Sequence, residues 1–141
     1  MRTKYKFTTE EAQTLLGMLD IFFKCSDTNG PLILIYGSVL SDIYKKVFKV
    51  SYKYAEFYKS SAVVLTNLEV CLILEVIKFN DDFDTYFYEN IQETKENIRD
   101  KKLFLSFDQQ IPAHLVKPIN MARALIRPLT GNYSYDKKLH A

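Results

Sequence analysis

The sequence predicts a mainly α-helical single domain, residues 1–141, in which two tandem strand-helix-helix units share one core. Apolar residues recur three and four positions apart along most of the chain, which is typical of helices that bury one face. A second observation is that the chain contains only four glycines and four prolines among its 141 residues. The third is a pattern near the N-terminus that occurs again later in the chain. A chain of this length can bury a sufficient core without disulfides or metals.

The repeated pattern consists of a threonine, a glutamate three residues later and then an apolar helical stripe. It occurs at Thr8 and Glu11 and again, 58 residues further on, at Thr66 and Glu69. This spacing predicts a capping box, in which the threonine hydroxyl accepts a hydrogen bond from the glutamate amide and the glutamate carboxylate accepts one from the threonine amide. We therefore expect a helix to begin at each of the two threonines.

The two units are predicted to have the same order of elements. Short strands are expected at residues 4–7, where aromatic residues alternate with lysines, and at 62–65, where β-branched residues are frequent. These strands could pair into a small sheet of two or three strands. The first unit then covers residues 1–59 and the second 60–100, while 101–141 form an extended C-terminal arm with a short helix.

Four helices are predicted for the two units. They cover residues 9 to about 24, 31 to about 50 and 66 to about 79, and the fourth carries Phe83, Phe87, Ile91 and Ile98. The third helix is apolar nearly all round, which predicts that it lies at the centre of the molecule. Residues 26–30 and 80–82 are rich in polar turn formers and are predicted to be loops. Residues 51–59 fit a strand as well as a continued helix.

The C-terminal arm has a different character. Apolar residues at alternate positions of 103–107 predict a third short strand. Pro112 and Pro118 could each begin a helical turn. The apolar residues of 119–126 predict a short helix that stops before Pro128.

Charge is unevenly distributed, although the formal net charge is only +2. Residues 61–100 carry nine acidic and three basic side chains, whereas residues 101–141 carry seven basic and two acidic ones. Such a pattern favours contact between the two segments, either within one chain or between subunits.

No catalytic, metal or cofactor site is expected. His114 and His140 are the only histidines, and neither has a serine or cysteine partner that the sequence supports. Four glycines cannot supply a phosphate-binding loop, and the acidic residues of 81–84 lack the glycine of a calcium loop. Cys25 and Cys71 are predicted to be free thiols of a reducing compartment. Neither a signal peptide nor a membrane span is apparent, so a cytoplasmic protein is expected.

The strongest candidate for binding is the segment 44–59, in which lysines and aromatic residues are interleaved. The candidate nucleic-acid or partner-binding residues are Lys45, Lys46, Lys49, Lys53, Tyr52 and Tyr54. Lysines can neutralise phosphates while aromatic rings stack on unpaired bases. The same pattern is also typical of a helix with an aromatic core face and a solvated lysine face. The segment contains no arginine, the usual residue for contacts to base edges.

A second candidate is a subunit contact on the last predicted helix. Arg123 and Arg127 lie four residues apart, and Lys117 is nearby. They could hold an acidic surface, including residues 81–100 of the same or a neighbouring chain.

From these patterns we expect a non-catalytic protein-protein interaction or assembly subunit. A structural component of a large complex such as a virion is one example, and a viral or mobile-element origin is compatible with it. One alternative is a nucleic-acid-binding accessory protein that uses segment 44–59. Exposed tyrosines beside exposed lysines would favour this alternative, and buried rings would exclude it. The other alternative is a small-molecule-binding or inhibitor protein, which requires a concave pocket between the two units.

Overall fold

The computed structural model describes residues 2–52, 59–88 and 95–130, and for 82–88 and 95–97 it describes the backbone alone. The elements in chain order are β1 (Arg2–Thr8), α1 (Thr9–Lys24), α2 (Ser26–Ser51), β2 (Ser60–Thr66), α3 (Asn67–Tyr88), α4 (Lys95–Asp108), α5 (Ala113–Ile126) and a 3-10 turn (Arg127–Leu129). In these residues the fold is mainly helical with one two-stranded antiparallel sheet. The predicted fold class is therefore confirmed.

The sheet pairs β1 with β2 along their whole lengths. Arg2 lies opposite Thr66, and Thr8 lies opposite Ser60. Tyr5 lies opposite Val63, which follows it by 58 residues, the same offset that separates the two capping boxes. Alternate residues of each strand are buried, as the sequence pattern predicts.

Both capping boxes form. In the first, the Thr8 amide donates to Glu11 Oε1 at 2.8 Å and the Glu11 amide donates to Thr8 Oγ1 at 3.0 Å. In the second, the Thr66 amide donates to Glu69 Oε1 at 2.9 Å and the Glu69 amide donates to Thr66 Oγ1 at 3.1 Å. The two predicted helix starts are confirmed.

Helix α3 is the centre of the core, as its apolar sequence predicts. Its consecutive residues Val70, Cys71, Leu72, Ile73 and Leu74 are all buried. Helices α1, α4 and α5 each pack against it. Burial on every side explains why this helix lacks the polar face of an ordinary surface helix.

The loop predicted for residues 26–30 is wrong, because α2 begins at Ser26, directly after a break at Cys25. Polar residues that favour turns also serve at the start of a helix. Asn29 is buried, and its Nδ2 donates to the Phe22 carbonyl at 3.3 Å, which ties the start of α2 to the last turn of α1. Pro31 lies inside α2 rather than at its start.

The loop predicted for residues 80–82 is also wrong, because α3 continues to Tyr88. Asn80 is buried inside the helix, where its Nδ2 donates to the carbonyls of Met18 at 3.1 Å and Val76 at 2.9 Å. This side chain joins α1 to α3 instead of ending α3. The fourth helix begins at Lys95, and the side chains of Phe83, Phe87 and Ile91 lie outside the described residues.

The third strand predicted for residues 103–107 is wrong, because these residues belong to α4. Leu103 and Phe107 are buried four residues apart on one helical face, whereas Leu105 is exposed. Phe107 packs against Tyr5 and Phe7 under the sheet, with ring centroids 5.1 and 5.6 Å apart. Three alternating positions are too few to distinguish a strand from a helix.

Helix α5 starts earlier than predicted. Pro112 precedes its first residue, and Pro118 lies inside it rather than beginning a new turn. The helix ends before Pro128, as predicted.

Candidate functional site

The basic residues predicted for a subunit contact separate into two groups. Arg123 Nε lies 2.8 Å from Glu75 Oε1 of α3, and an Arg127 terminal nitrogen lies 3.6 Å from the same oxygen. The Glu75 side chain is 2% exposed and that of Arg123 14%, so this pair is internal. Arg123 therefore holds α5 on α3 in its own chain, whereas Lys117 and much of Arg127 are exposed.

Cys71 lies one helical turn before Glu75. Its thiol is fully buried and points at the Ile119 carbonyl, with an S–O distance of 3.6 Å. Burial raises the pKa of this thiol, Glu75 adds to the increase, and Arg123 opposes it. Because the thiolate is the reactive form, Cys71 is poorly suited to act as a nucleophile at neutral pH.

The outward side of α5 carries an apolar row. We call Lys117, Pro118, Met121 and Leu125 the α5 outer face, because all four are exposed. Met121 is 63% exposed and Leu125 80%, and they lie one helical turn apart. The buried residues Leu115, Ile119 and Ile126 occupy the opposite side. Sequence reasoning placed these residues on a helix but did not identify this exposed row.

The C-terminal half of α2 contains the lysine- and tyrosine-rich candidate residues. Lys45 and Lys49 are exposed, and Tyr52 is 67% exposed. Phe48, which lies between them, is 50% exposed. The structure thus brings two of the candidate lysines together with exposed rings. Lys53 and Tyr54 lie outside the described residues.

Lys46 differs from its neighbours. Its Nζ contacts both carboxylate oxygens of Glu69 at 2.8 Å and the Val64 carbonyl at 3.1 Å. Lys46 therefore attaches α2 to the edge of β2 and to the start of α3. The Glu69 carboxylate neutralises its charge within the chain.

A further basic group on β1 was not among the predicted site residues. Arg2, Lys4 and Lys6 are exposed, while Tyr5 and Phe7 point into the core. The signal was present in the sequence, since strict alternation in a half-buried strand places these cations together on the outer face.

Two clefts lie between helices. One of about 410 Å3 has an apolar floor at Ile77, Phe104 and Leu105, and lies between α3, α4 and α5. It joins the second predicted unit to the C-terminal arm rather than the two units to each other. The other, of about 440 Å3, lies between the start of α1 and α4, with Glu10 of the first predicted unit on one side and Arg99 of the second on the other.

The described residues contain no group of three or more His, Cys, Asp or Glu side chains that could hold a metal ion. None of the helices in those same ranges combines the length and the hydropathy needed to cross a membrane. Comparison with known proteins gives no match: no protein-family model, curated protein or solved structure is significantly similar to this chain.

Proposed function

We propose that this chain is a non-catalytic assembly subunit that contacts a protein partner through the α5 outer face. The observation that supports this is the exposure of Met121 and Leu125, 63% and 80%, on adjacent turns of one helix. Contiguous exposed apolar side chains are typical of surfaces that bind another protein. Lys117 beside them supplies the polar margin that such interfaces usually have.

The way α5 is held favours this role. Its inner side is fixed to α3 by buried leucine and isoleucine side chains and by the Arg123–Glu75 pair at 2.8 Å. A surface that is already rigid loses little conformational entropy on binding. Arg123 is thus a positioning residue for the proposed contact.

A second copy of the chain is the simplest partner. If two α5 helices packed antiparallel about Met121, Leu125 of one copy would lie against Lys117 of the other. The lysine stem can cover a leucine while its ammonium group stays in water. Such a self-complementary interface closes on itself and gives a dimer.

Light scattering after size-exclusion chromatography tests the proposal, with protein loaded from about 1 to about 200 µM. We expect the wild type to form a dimer as concentration rises. The double variant Met121→Lys, Leu125→Lys should stay monomeric. Leu105→Lys is the matched control, because Leu105 is as exposed as Met121, 63%, but lies on α4.

Circular dichroism should show that all variants are folded, since the substituted side chains are exposed. The proposal is contradicted if two results occur together. The wild type is monomeric at every concentration, and no protein from the native source binds the wild type stoichiometrically while failing to bind the double variant. An oligomer that Met121→Lys, Leu125→Lys leaves intact would also contradict it.

A further inference from the structure

A second surface is built from different elements and has a different chemistry. We call it the β1–α2 face, and it consists of Arg2, Lys4, Lys6, Lys45, Lys49, Phe48 and Tyr52, all of them exposed. Three of its cations come from the outer side of the sheet and two from the C-terminal half of α2.

The two parts of this face are adjacent. Lys4 lies opposite Val64 in the sheet, and the Val64 carbonyl accepts a hydrogen bond from Lys46 of α2 at 3.1 Å. Residues directly opposite in an antiparallel pair have their Cβ atoms about 5 Å apart. Lys45 and Lys49 flank Lys46 on the helix. Val64 and Lys46 thus connect the strand that carries Lys4 with the part of α2 that carries Lys45 and Lys49.

The charge of the β1–α2 face is not neutralised from within. β1 contains three basic residues, and neither β1 nor β2 contains an acidic one. Among the described residues, Glu69 is already paired with Lys46, and Asp42 is exposed on α2. In the described part of the chain, none of the five cations of this face forms an ion pair.

Tyr44, Phe48 and Tyr52 follow one side of α2 for two turns, next to Lys45 and Lys49 and turned away from Lys46. The ring centroids of Phe48 and Tyr52 are 5.2 Å apart with the planes tilted by 57°. Tyr44, which is half-buried, stacks on Phe48 at 6.4 Å and 12°. The row thus has a half-buried inner ring, Tyr44, and two outer rings, Phe48 and Tyr52, that are 50% and 67% exposed.

From this arrangement we infer that the β1–α2 face binds single-stranded nucleic acid. Phe48 and Tyr52 stack on unpaired bases, and the lysines with Arg2 contact phosphates along the strand. An acidic protein is the weaker match, because lysine is depleted from protein interfaces whereas phosphate contacts depend on it. A duplex is also a weaker match, because its bases are already stacked on each other.

Fluorescence anisotropy with a labelled oligothymidylate and a labelled oligouridylate tests this inference. We expect binding at low salt whose logarithmic affinity falls linearly with the logarithm of salt concentration. Phe48→Ala and Tyr52→Ala should each weaken binding by about tenfold at constant salt slope. Lys4→Ala with Lys6→Ala should lower that slope by about 1.4, since each phosphate contact contributes about 0.7 on a single strand.

Lys102→Ala is the matched control, because Lys102 is exposed on α4 and should change neither affinity nor slope. Polyglutamate of equal charge and a duplex of the same length are the competitors, and both should compete weakly. The inference is overturned if neither oligonucleotide binds at low salt. It is equally overturned if polyglutamate competes as well as the oligonucleotides and the ring variants bind normally, which would assign the face to an acidic protein. Since α5 is untouched in every variant, this result is independent of the oligomer test.

Discussion

The starts of α1 and α3 use the same local motif in different surroundings. At α1, Glu11 is half-buried and its carboxylate caps the Thr8 amide. At α3, Glu69 is buried, caps the Thr66 amide and also accepts two contacts from Lys46 at 2.8 Å. A capping box thus determines where a helix begins. Tertiary packing determines whether the capping glutamate also stabilises contacts to other elements, as Glu69 does with Lys46.

The difference continues along the two helices. At the offset of 58 residues, buried Glu75 in α3 corresponds to exposed Gly17 in α1. Buried Cys71 corresponds to Gln13, whose side chain donates to the Ser51 carbonyl at 3.0 Å. The central helix therefore needs internal partners for its polar groups at positions where the peripheral helix meets solvent or α2.

The largest effect is expected from Arg123→Met, which removes the 2.8 Å partner of the buried Glu75 carboxylate and leaves it only the more distant Arg127 at 3.6 Å. We expect the free energy of unfolding to fall by about 3 kcal/mol, measured by urea denaturation. The double variant Arg123→Met, Glu75→Leu should recover most of this loss, because an apolar pair then replaces the ion pair. A loss below about 0.5 kcal/mol in the single variant would show that Glu75 does not depend on Arg123.

Removing the two capping carboxylates compares the helix starts directly. Glu11→Ala should cost about 1 kcal/mol, the usual value for a lost cap. Glu69→Ala should cost about 2 kcal/mol, because it removes the same kind of cap and also the carboxylate that Lys46 contacts. Lys46→Ala should cost less than about 1 kcal/mol, since Lys46 is 40% exposed. Equal losses of unfolding free energy in Glu11→Ala and Glu69→Ala would show that the two helix starts do not differ in this way.

Gly17→Ala should stabilise the protein by up to about 1 kcal/mol, because alanine favours a helix interior more than glycine does. A Cβ at Gly17 would meet no atom within 4 Å among the described residues. The thermal midpoint should rise accordingly. A lower midpoint would show that the outer side of α1 is covered in the native protein.

The smallest effect is a dependence of stability on alkaline pH. Burial raises the pKa of the Cys71 thiol above its ordinary value of 9.0, and burial raises that of Tyr5 above 10.0. Above pH 9 the unfolded chain therefore binds fewer protons than the folded one, so stability falls as pH rises.

We expect the thermal midpoint to be constant at neutral pH and to decrease above pH 9, the ordinary pKa of the Cys71 thiol. In Cys71→Ala the decrease should begin near pH 10, where Tyr5 takes over. If the thermal midpoint of Cys71→Ala depended on pH as that of the wild type does, the decrease above pH 9 could not be assigned to Cys71.

The sequence was a good guide where local chemistry decides the structure. The two capping boxes, both strands and the burial of α3 follow from spacing and apolar content alone. Where the prediction was wrong, the structure depends on contacts with residues distant in the sequence. Asn80 continues a helix because the Met18 carbonyl accepts from its side chain, and no local pattern contains that information.

The candidate surfaces show the same limit. Lys45, Lys49 and Tyr52 could be named from the sequence, but their exposure could not, because an aromatic row fits a core equally well. On α5, apolar residues occur on every side of 119–126, so the buried side is determined only by packing on α3. Met121 and Leu125 therefore became visible as a surface only in the folded chain.

The pairing of Tyr5 with Val63 has a consequence for symmetry. Tyr5 lies opposite the residue that follows it by 58 positions, the offset between the two capping boxes, and a local two-fold axis passes through this antiparallel pair. This register is the one that two identical strands would adopt across a homodimer interface. The single chain thus contains, in one covalent molecule, a sheet whose geometry is that of a contact between two subunits.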